Sequence, residues 1–312
     1  MIDILKNKKV GVIMGGLSSE REVSLTSGGA VAAALRDAGY DVAEILYDGQ
    51  TLPEDIRKAA PDVVFIALHG KLGEDGCVQG LLEVMGVPYT GPGVTCSALA
   101  MDKGLSKDIM VRHGIPTPDY VVIRKKGFDP SRPDFGGMTC PVVVKPANSG
   151  STIGMSFAFR EEELLPGVVR AFEHDDVVLI ERFIEGRELT VGVIDGGPLP
   201  LVEVIIPGGV YDYEAKYHST ANRYVCPAEL DAETTAKVQR LAVEVFDALR
   251  GYGVGRVDFR LDAEGNAWAL EMNTIPGMTK TSLLPKAAAA SGVDFTALVE
   301  TILIGALRRN EG

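Results

Sequence analysis

Short apolar runs separated by polar turns dominate the first third of the chain. Val10-Gly11-Val12-Ile13-Met14 has the length of a buried strand, and Gly15-Gly16-Leu17-Ser18-Ser19 behind it is turn chemistry. The period then changes, and Glu20 to about Ala38 reads as a helix closed by Gly39. Asp41–Leu46 predicts a second strand, and Val63–Leu68 predicts a third that ends in His69-Gly70. Strands that alternate with helices imply βαβ units and a parallel sheet, hence an α/β fold. Ligands of such sheets bind beyond the carboxyl ends of the strands, where Gly15-Gly16 and His69-Gly70 fall.

The pattern predicts one helix over Ser97–His113, then strands at Tyr120–Arg124 and Val142–Lys145. A Gly/Ser-rich loop at 148–154, a helix at Glu161–Glu173 and a strand at Val177–Glu181 follow. Beyond Glu185 come more strands and a long polar loop, Gly208–Asn222. The chain ends with two helices around a hairpin whose strands, Arg256–Leu261 and Ala267–Met272, meet at the turn 262–266. Three units are expected: 1–102, 103–184 and 185–312.

Chemistry concentrates in the hairpin and in two strand ends. Glu271 and Asn273 stand two apart on one strand and so share a face, with Asp258 on the neighbouring strand beside Arg256. Two carboxylates and an amide oxygen suit Mg²⁺, which keeps waters and shares a triphosphate. Lys145 ends an apolar strand and a loop of small residues follows it, an arrangement in which backbone N–H groups and a lysine can hold phosphate. Val177–Glu181 is an apolar strand that ends in a carboxylate, suited to a purine slot with Glu181 on the ribose hydroxyls, and Glu188 lies close behind. Each feature alone has an ordinary reading as a linker, a strand end or a solvated hairpin.

Composition narrows the alternatives. The chain has 312 residues, of which 46% are hydrophobic, and a net charge of −12 from 31 basic and 43 acidic residues. That balance argues against general nucleic-acid binding and requires locally placed cations for any anionic substrate. The four cysteines, Cys77, Cys96, Cys140 and Cys226, form no CxxC pair, so reduced thiols of a cytoplasmic protein are expected. The N-terminus lacks a signal-peptide pattern, and no apolar stretch reaches membrane-spanning length. Neither GxGxxG after the first strand nor GxxxxGK[ST] anywhere is present, which disfavours a dehydrogenase and a Walker-type nucleotidase.

The order strand–Lys–Gly-rich loop, strand–Glu hinge, then Asp…Glu-x-Asn resembles the ATP-grasp ligases. Within them the chain is similar to the D-alanine–D-alanine ligases over its full length. The matching segments include 15–24, Ala67-Leu68-His69-Gly70, Met101-Asp102-Lys103, 150–155, 211–217 and 271–279. The resemblance implies three parts: an N-terminal parallel-sheet domain, a central ATP lid and a C-terminal catalytic domain. It implies a reaction in which one D-alanine carboxylate attacks the γ-phosphate and a second D-alanine amine displaces phosphate from the acylphosphate.

The resemblance also implies roles. Asp258, Glu271 and Asn273 match ligands of two Mg²⁺, with Mn²⁺ as a substitute. Lys103, Lys145 and Lys216 match phosphate contacts, and Glu181 matches the ribose contact. Arg256 and the Gly277 N–H match the oxyanion site. Glu20 matches the partner of the first D-alanine ammonium, with His69 near it. Ser282 and the Leu283 backbone match the seat of the second carboxylate. Ser151 and Tyr217, steadied by Glu188, match a pair that closes the polar loop. A homodimer is implied in the same way. The rivals are another ATP-grasp carboxylate–amine ligase, a D-alanine–D-lactate ligase and a nucleotide-binding regulator without catalysis.

Overall fold

A computed structural model describes residues 4–150, 153–205 and 223–309. Strand β1 (Lys9–Gly15) lies between β2 (Asp41–Tyr47) and β3 (Val63–Ile66), parallel to both. Helices α1 (Arg21–Asp37), α2 (Leu52–Ala59) and α3 (Cys77–Met85) connect and flank these strands. The parallel sheet read from the sequence is therefore present. At its carboxyl edge the buried Ser24 of α1 accepts from Gly15 N at 2.8 Å and donates to Ala67 O at 2.7 Å, which ties the ends of β1 and β3 together.

The expected helix over Ser97–His113 is two helices, α4 (Val94–Met101) and α5 (Lys103–Arg112). Asp102 between them has φ −83° and ψ 100°, and its carboxylate accepts from Leu105 N. An aspartate that caps a new helix satisfies donors that a continuous helix would satisfy through its backbone, so the chain can restart here. The restart places Lys103 in the first turn of α5.

The central sheet has the order β4-β7-β5-β6, from β4 (Tyr120–Arg124), β5 (Val142–Pro146), β6 (Ser156–Ala158) and β7 (Val177–Arg182), all antiparallel neighbours. The helix expected over Glu161–Glu173 opens as a 3-10 turn, Glu161–Glu163, and is α-helical only as α6 (Leu164–Ala171). Pro166 falls in its first turn, where a missing N–H costs nothing.

A larger antiparallel sheet follows: β8 (Arg187–Ile194), the short β9 (Gly197–Pro198), β10 (Val202–Ile205), β11 (Arg223–Val225), β12 (Val254–Leu261) and β13 (Ala267–Asn273), in the order β11-β10-β8-β12-β13 with β9 beside β8. Helix α7 (Ala232–Ala248) precedes the hairpin, and α8 (Leu283–Ala290) and α9 (Phe295–Arg308) follow it, one more helix than the sequence pattern suggests.

The hydrophobic cores cross the expected unit boundaries. Cys96, Ala100, Met110 and Ile115 pack with Val257, Phe259 and Met272, so α4 and α5 lie on the C-terminal sheet. Leu298, Val299, Ile302 and Leu303 of α9 pack with Val10, Val12 and Phe65, so the last helix completes the N-terminal core. The central core is separate: Val142, Val144, Val168 and Ile180, with Val121 and Ile123 against it. Helix α5, inside the expected unit 103–184, thus shares a core with the hairpin strands. No single helix among the described residues is long and apolar enough to cross a membrane.

Candidate active site

The three sheets meet around a cavity of about 830 Å³. Every expected site residue that the structure describes lines it: Glu20, His69, Lys103, Lys145, Glu181, Glu188, Arg256, Asp258, Glu271, Asn273, Gly277, Ser282 and Leu283. Ser151, Lys216 and Tyr217 lie outside the described residues, as does all of the expected polar loop, 208–222.

The hairpin places its polar residues on one face because of register and a bulge. Asp258 pairs directly with Glu271, and Arg256 with Asn273. The register shifts between Asp258 and Phe259, whose partner is Ala269, so Leu270 has no partner. That extra residue lets both Leu270 and Glu271 face the cavity, while Ala269 and Met272 stay in the core. Arg256 donates through Nε and an Nη to the two Asp258 oxygens, each at 2.8 Å. The Asn273 side-chain oxygen accepts from Ile275 N at 3.1 Å, which fixes its orientation. Among the described residues no cluster of three His, Cys, Asp or Glu could hold a metal by itself. Two carboxylates and one amide, incomplete without ligand oxygens, fit Mg²⁺ shared with a phosphate chain.

Lys103 Nζ donates to Ser149 O at 2.8 Å and lies 3.5 Å from Glu271 Oε2. Lys145 Nζ donates to Glu181 Oε1 at 2.5 Å. Glu181 Oε2 faces a further lysine, Lys107, at 2.9 Å. With 3% of the residue exposed and a lysine facing each oxygen, Glu181 anchors two lysines at the cavity wall. Burial disfavours its charge, but Lys107 and Lys145 outweigh that and hold it below the usual carboxylate range. Burial likewise opposes charge on Lys145, and attraction to Glu181 and Glu271 reverses the sign, leaving it above the usual lysine value. Lys107 was not expected; its signal is the spacing of four from Lys103 on one helix.

An apolar slot adjoins the lysines. Val143, Met155, Phe157, Phe183 and Ile184 line it, with Phe157 and Phe183 edge to face at 5.8 Å. Arg260, also not foreseen, donates to Ile184 O at 3.1 Å and to Glu188 Oε2 at 3.3 Å. It fixes the backbone hinge of the slot and one of its carboxylates together.

The opposite end of the cavity belongs to the N-terminal sheet. Glu20 lies at the start of α1, and a Cβ added at Gly150 would stand 2.8 Å from its Oε2. A side chain at this position would push the Glu20 carboxylate aside. The His69 ring is buried, its Nδ1 3.7 Å from Glu74 Oε1, and its Nε2 has no hydrogen-bond partner among the described residues. Glu74 also accepts from Gly70 N at 2.6 Å. Ser282 is the N-cap residue of α8, yet its hydroxyl accepts from Thr279 N and makes no cap bond. Among the described residues nothing bonds the Leu283 and Leu284 N–H groups, and Pro285 has none, so these two can face a carboxylate. Met278 N donates to the buried Ser27 of α1 at 3.2 Å and holds the Gly277 turn against the N-terminal layer.

The similarities to known proteins agree with this arrangement. Residues 109–304 match the family described as D-ala D-ala ligase C-terminus, and 46–92 match D-ala D-ala ligase N-terminus. The D-alanine–D-alanine ligase of Syntrophotalea carbinolica is 50% identical over 306 residues, 98% of each chain. That of Geobacter sulfurreducens is 45% identical over 312 residues, 99% of this chain and 98% of its own. A crystal structure of the Bacillus anthracis D-alanine–D-alanine ligase with ATP superposes with a TM-score of 0.85 at 34% identity, covering 98% of this chain and all of that one. By motif, fold and the residues gathered in one cavity, this chain belongs to the D-alanine–D-alanine ligase family.

Proposed function

We propose that this enzyme joins two D-alanines to D-alanyl-D-alanine, with ATP converted to ADP and phosphate, and so supplies a cell-wall precursor. The observation that carries this reading is the single cavity. Phosphate-type lysines, a hard-oxygen donor set and a free helix N-terminus all open into it beside an apolar slot.

ATP places its adenine in the slot of Phe157, Phe183 and Ile184 and its phosphates at Lys103 and Lys145. Family resemblance assigns Lys216, outside the described residues, a third phosphate contact. Mg²⁺ held by Asp258, Glu271 and Asn273 would neutralise phosphate charge when bound. Glu20 takes the ammonium of the first D-alanine, and the carboxylate oxygen of that D-alanine attacks the γ-phosphorus, expelling ADP. The amine of the second D-alanine, seated by Ser282 and the N–H of Leu283, attacks the acylphosphate carbonyl carbon. A C–N bond forms, the amine loses a proton, and the C–O bond to phosphate breaks as the tetrahedral centre collapses. Arg256 and the Gly277 N–H stabilise the oxyanion of that centre. The chain supplies no nucleophile of its own; its contribution is position and field. Family resemblance assigns Ser151 and Tyr217, outside the described residues, a role in substrate enclosure together with Glu188. We place the enzyme in the cytoplasm as a homodimer.

Phosphate release with D-alanine, L-alanine and D-lactate in parallel tests this. ADP and a dipeptide of the mass of D-Ala–D-Ala are expected with D-alanine alone. Release that ignores D-alanine would remove the ligase reading, and a D-lactate ester would replace it with a depsipeptide ligase.

A further inference from the structure

Lys107 sits on the same helix as Lys103, but its side chain is fully buried and does not line the cavity. Its Nζ donates to Thr117 Oγ1 at 2.6 Å and faces Glu181 Oε2 at 2.9 Å. Thr117 in turn donates to Ala269 O at 2.8 Å, one residue before the bulge of β13. Both partners of Lys107 are thus acceptors, the surroundings of an ammonium group. Glu181 uses its other oxygen on Lys145, which does line the cavity. One buried carboxylate therefore stands between two lysines, one behind it and one at the cavity wall. A lone Lys145–Glu181 pair would be neutral and would present little field to a phosphate. Burial pulls the Lys107 pKa below the usual lysine value against the attraction of Glu181; with Lys107 charged between its two acceptors, the three groups sum to one positive charge.

We propose that Lys107 is a positioning residue that balances Glu181 from behind, so that the charge of Lys145 remains directed at the nucleotide phosphates. This rests on the reading of Lys145 as a phosphate contact. The same node joins three layers. Lys107 comes from a helix on the C-terminal sheet, Glu181 and Lys145 come from the central sheet, and Thr117 ties them to the strand that carries Glu271. A residue that touches no substrate thereby sets how strongly the central sheet holds ATP.

The test is steady-state kinetics of Lys107→Met, Lys145→Met and the double variant Lys107→Met/Glu181→Gln, with thermal melts of each. Lys107→Met should raise the ATP KM about tenfold or more while the D-alanine KM stays within about twofold. The double variant removes both the balancing charge and the charge it balances. It should return the ATP KM to within about threefold of wild type, a rescue that a packing role would not give. If the single variant does not fold, the double variant decides: an ATP KM near wild type supports charge balance, and one as high as that of Lys145→Met overturns it. A normal ATP KM in Lys107→Met, with Lys145→Met defective, overturns the proposal alone. A normal ATP KM in Lys145→Met defeats the phosphate reading of that lysine, and the proposal with it.

Discussion

Arg256 shows how a strand can prepare a charge for two partners. It lies two residues before Asp258 on β12, on the same face, and clamps both Asp258 oxygens. The clamp holds the carboxylate rotamer with a donor geometry that only arginine offers. It also places a guanidinium where the proposed oxyanion develops. Arg256→Ala should lower kcat by about 10²-fold or more, the scale of losing one oxyanion donor, with ATP affinity changed far less. Stopped turnover and nucleotide titration measure the two separately; a loss confined to ATP binding would mean that Arg256 serves only to hold Asp258. At this scale the sequence was legible where spacing carried the chemistry. Glu271 and Asn273 alternate on one strand, and Asp258 lies across the hairpin. It was not legible for the burial of Lys107: its spacing of four from Lys103 shows a shared helix face, but a lysine on a helix reads as solvent-facing and nothing local says that it is buried. Arg260 was hidden for the same reason: its partners, Ile184 and Glu188, are more than seventy residues away in the chain.

At the scale of elements, the strands were readable and the interruptions were not. Apolar runs marked β1, β3, β5 and β7 because each is buried on both faces or nearly so. The break at Asp102 was missed, since helical periodicity continues through it and only the cap geometry ends α4. The bulge at Leu270 left no trace in composition either. Both irregularities have a use: one starts a helix at Lys103, the other turns Glu271 into the cavity. Asp102→Ala should remove the cap at a cost of about 0.5–2 kcal/mol in stability. It should also raise the ATP KM, because Lys103 N is held by Ala147 O and its side chain by Ser149 O only while α5 begins there. Chemical denaturation and ATP kinetics on the same variant check both parts. Lost stability with an unchanged ATP KM would separate the cap from the site.

At the scale of the whole molecule, the units read from the sequence are not independent bodies, because the chain returns at its end to the core with which it began. Helix α9, started by an Asp294 cap on Ala297 N, packs its apolar face on the N-terminal layer. Its polar face adds a titratable link, in which Tyr40 donates through its hydroxyl to Glu300 Oε1 at 2.7 Å. Burial, and then the hydrogen bond and charge of Glu300, push the Tyr40 pKa up from 10.0 to about 12. A raised folded-state value means that folding favours the protonated phenol. The contribution of this link is therefore complete below the unfolded value and fades as the pH climbs from 10 toward about 12. Tyr40→Phe removes the link at every pH. The variant should melt below wild type at pH 8, and the gap between the two melting temperatures should close through that alkaline window. A gap that stays constant from pH 8 to the top of the window would show that the two ends of the chain are joined by apolar contact alone, with no proton linked to their union.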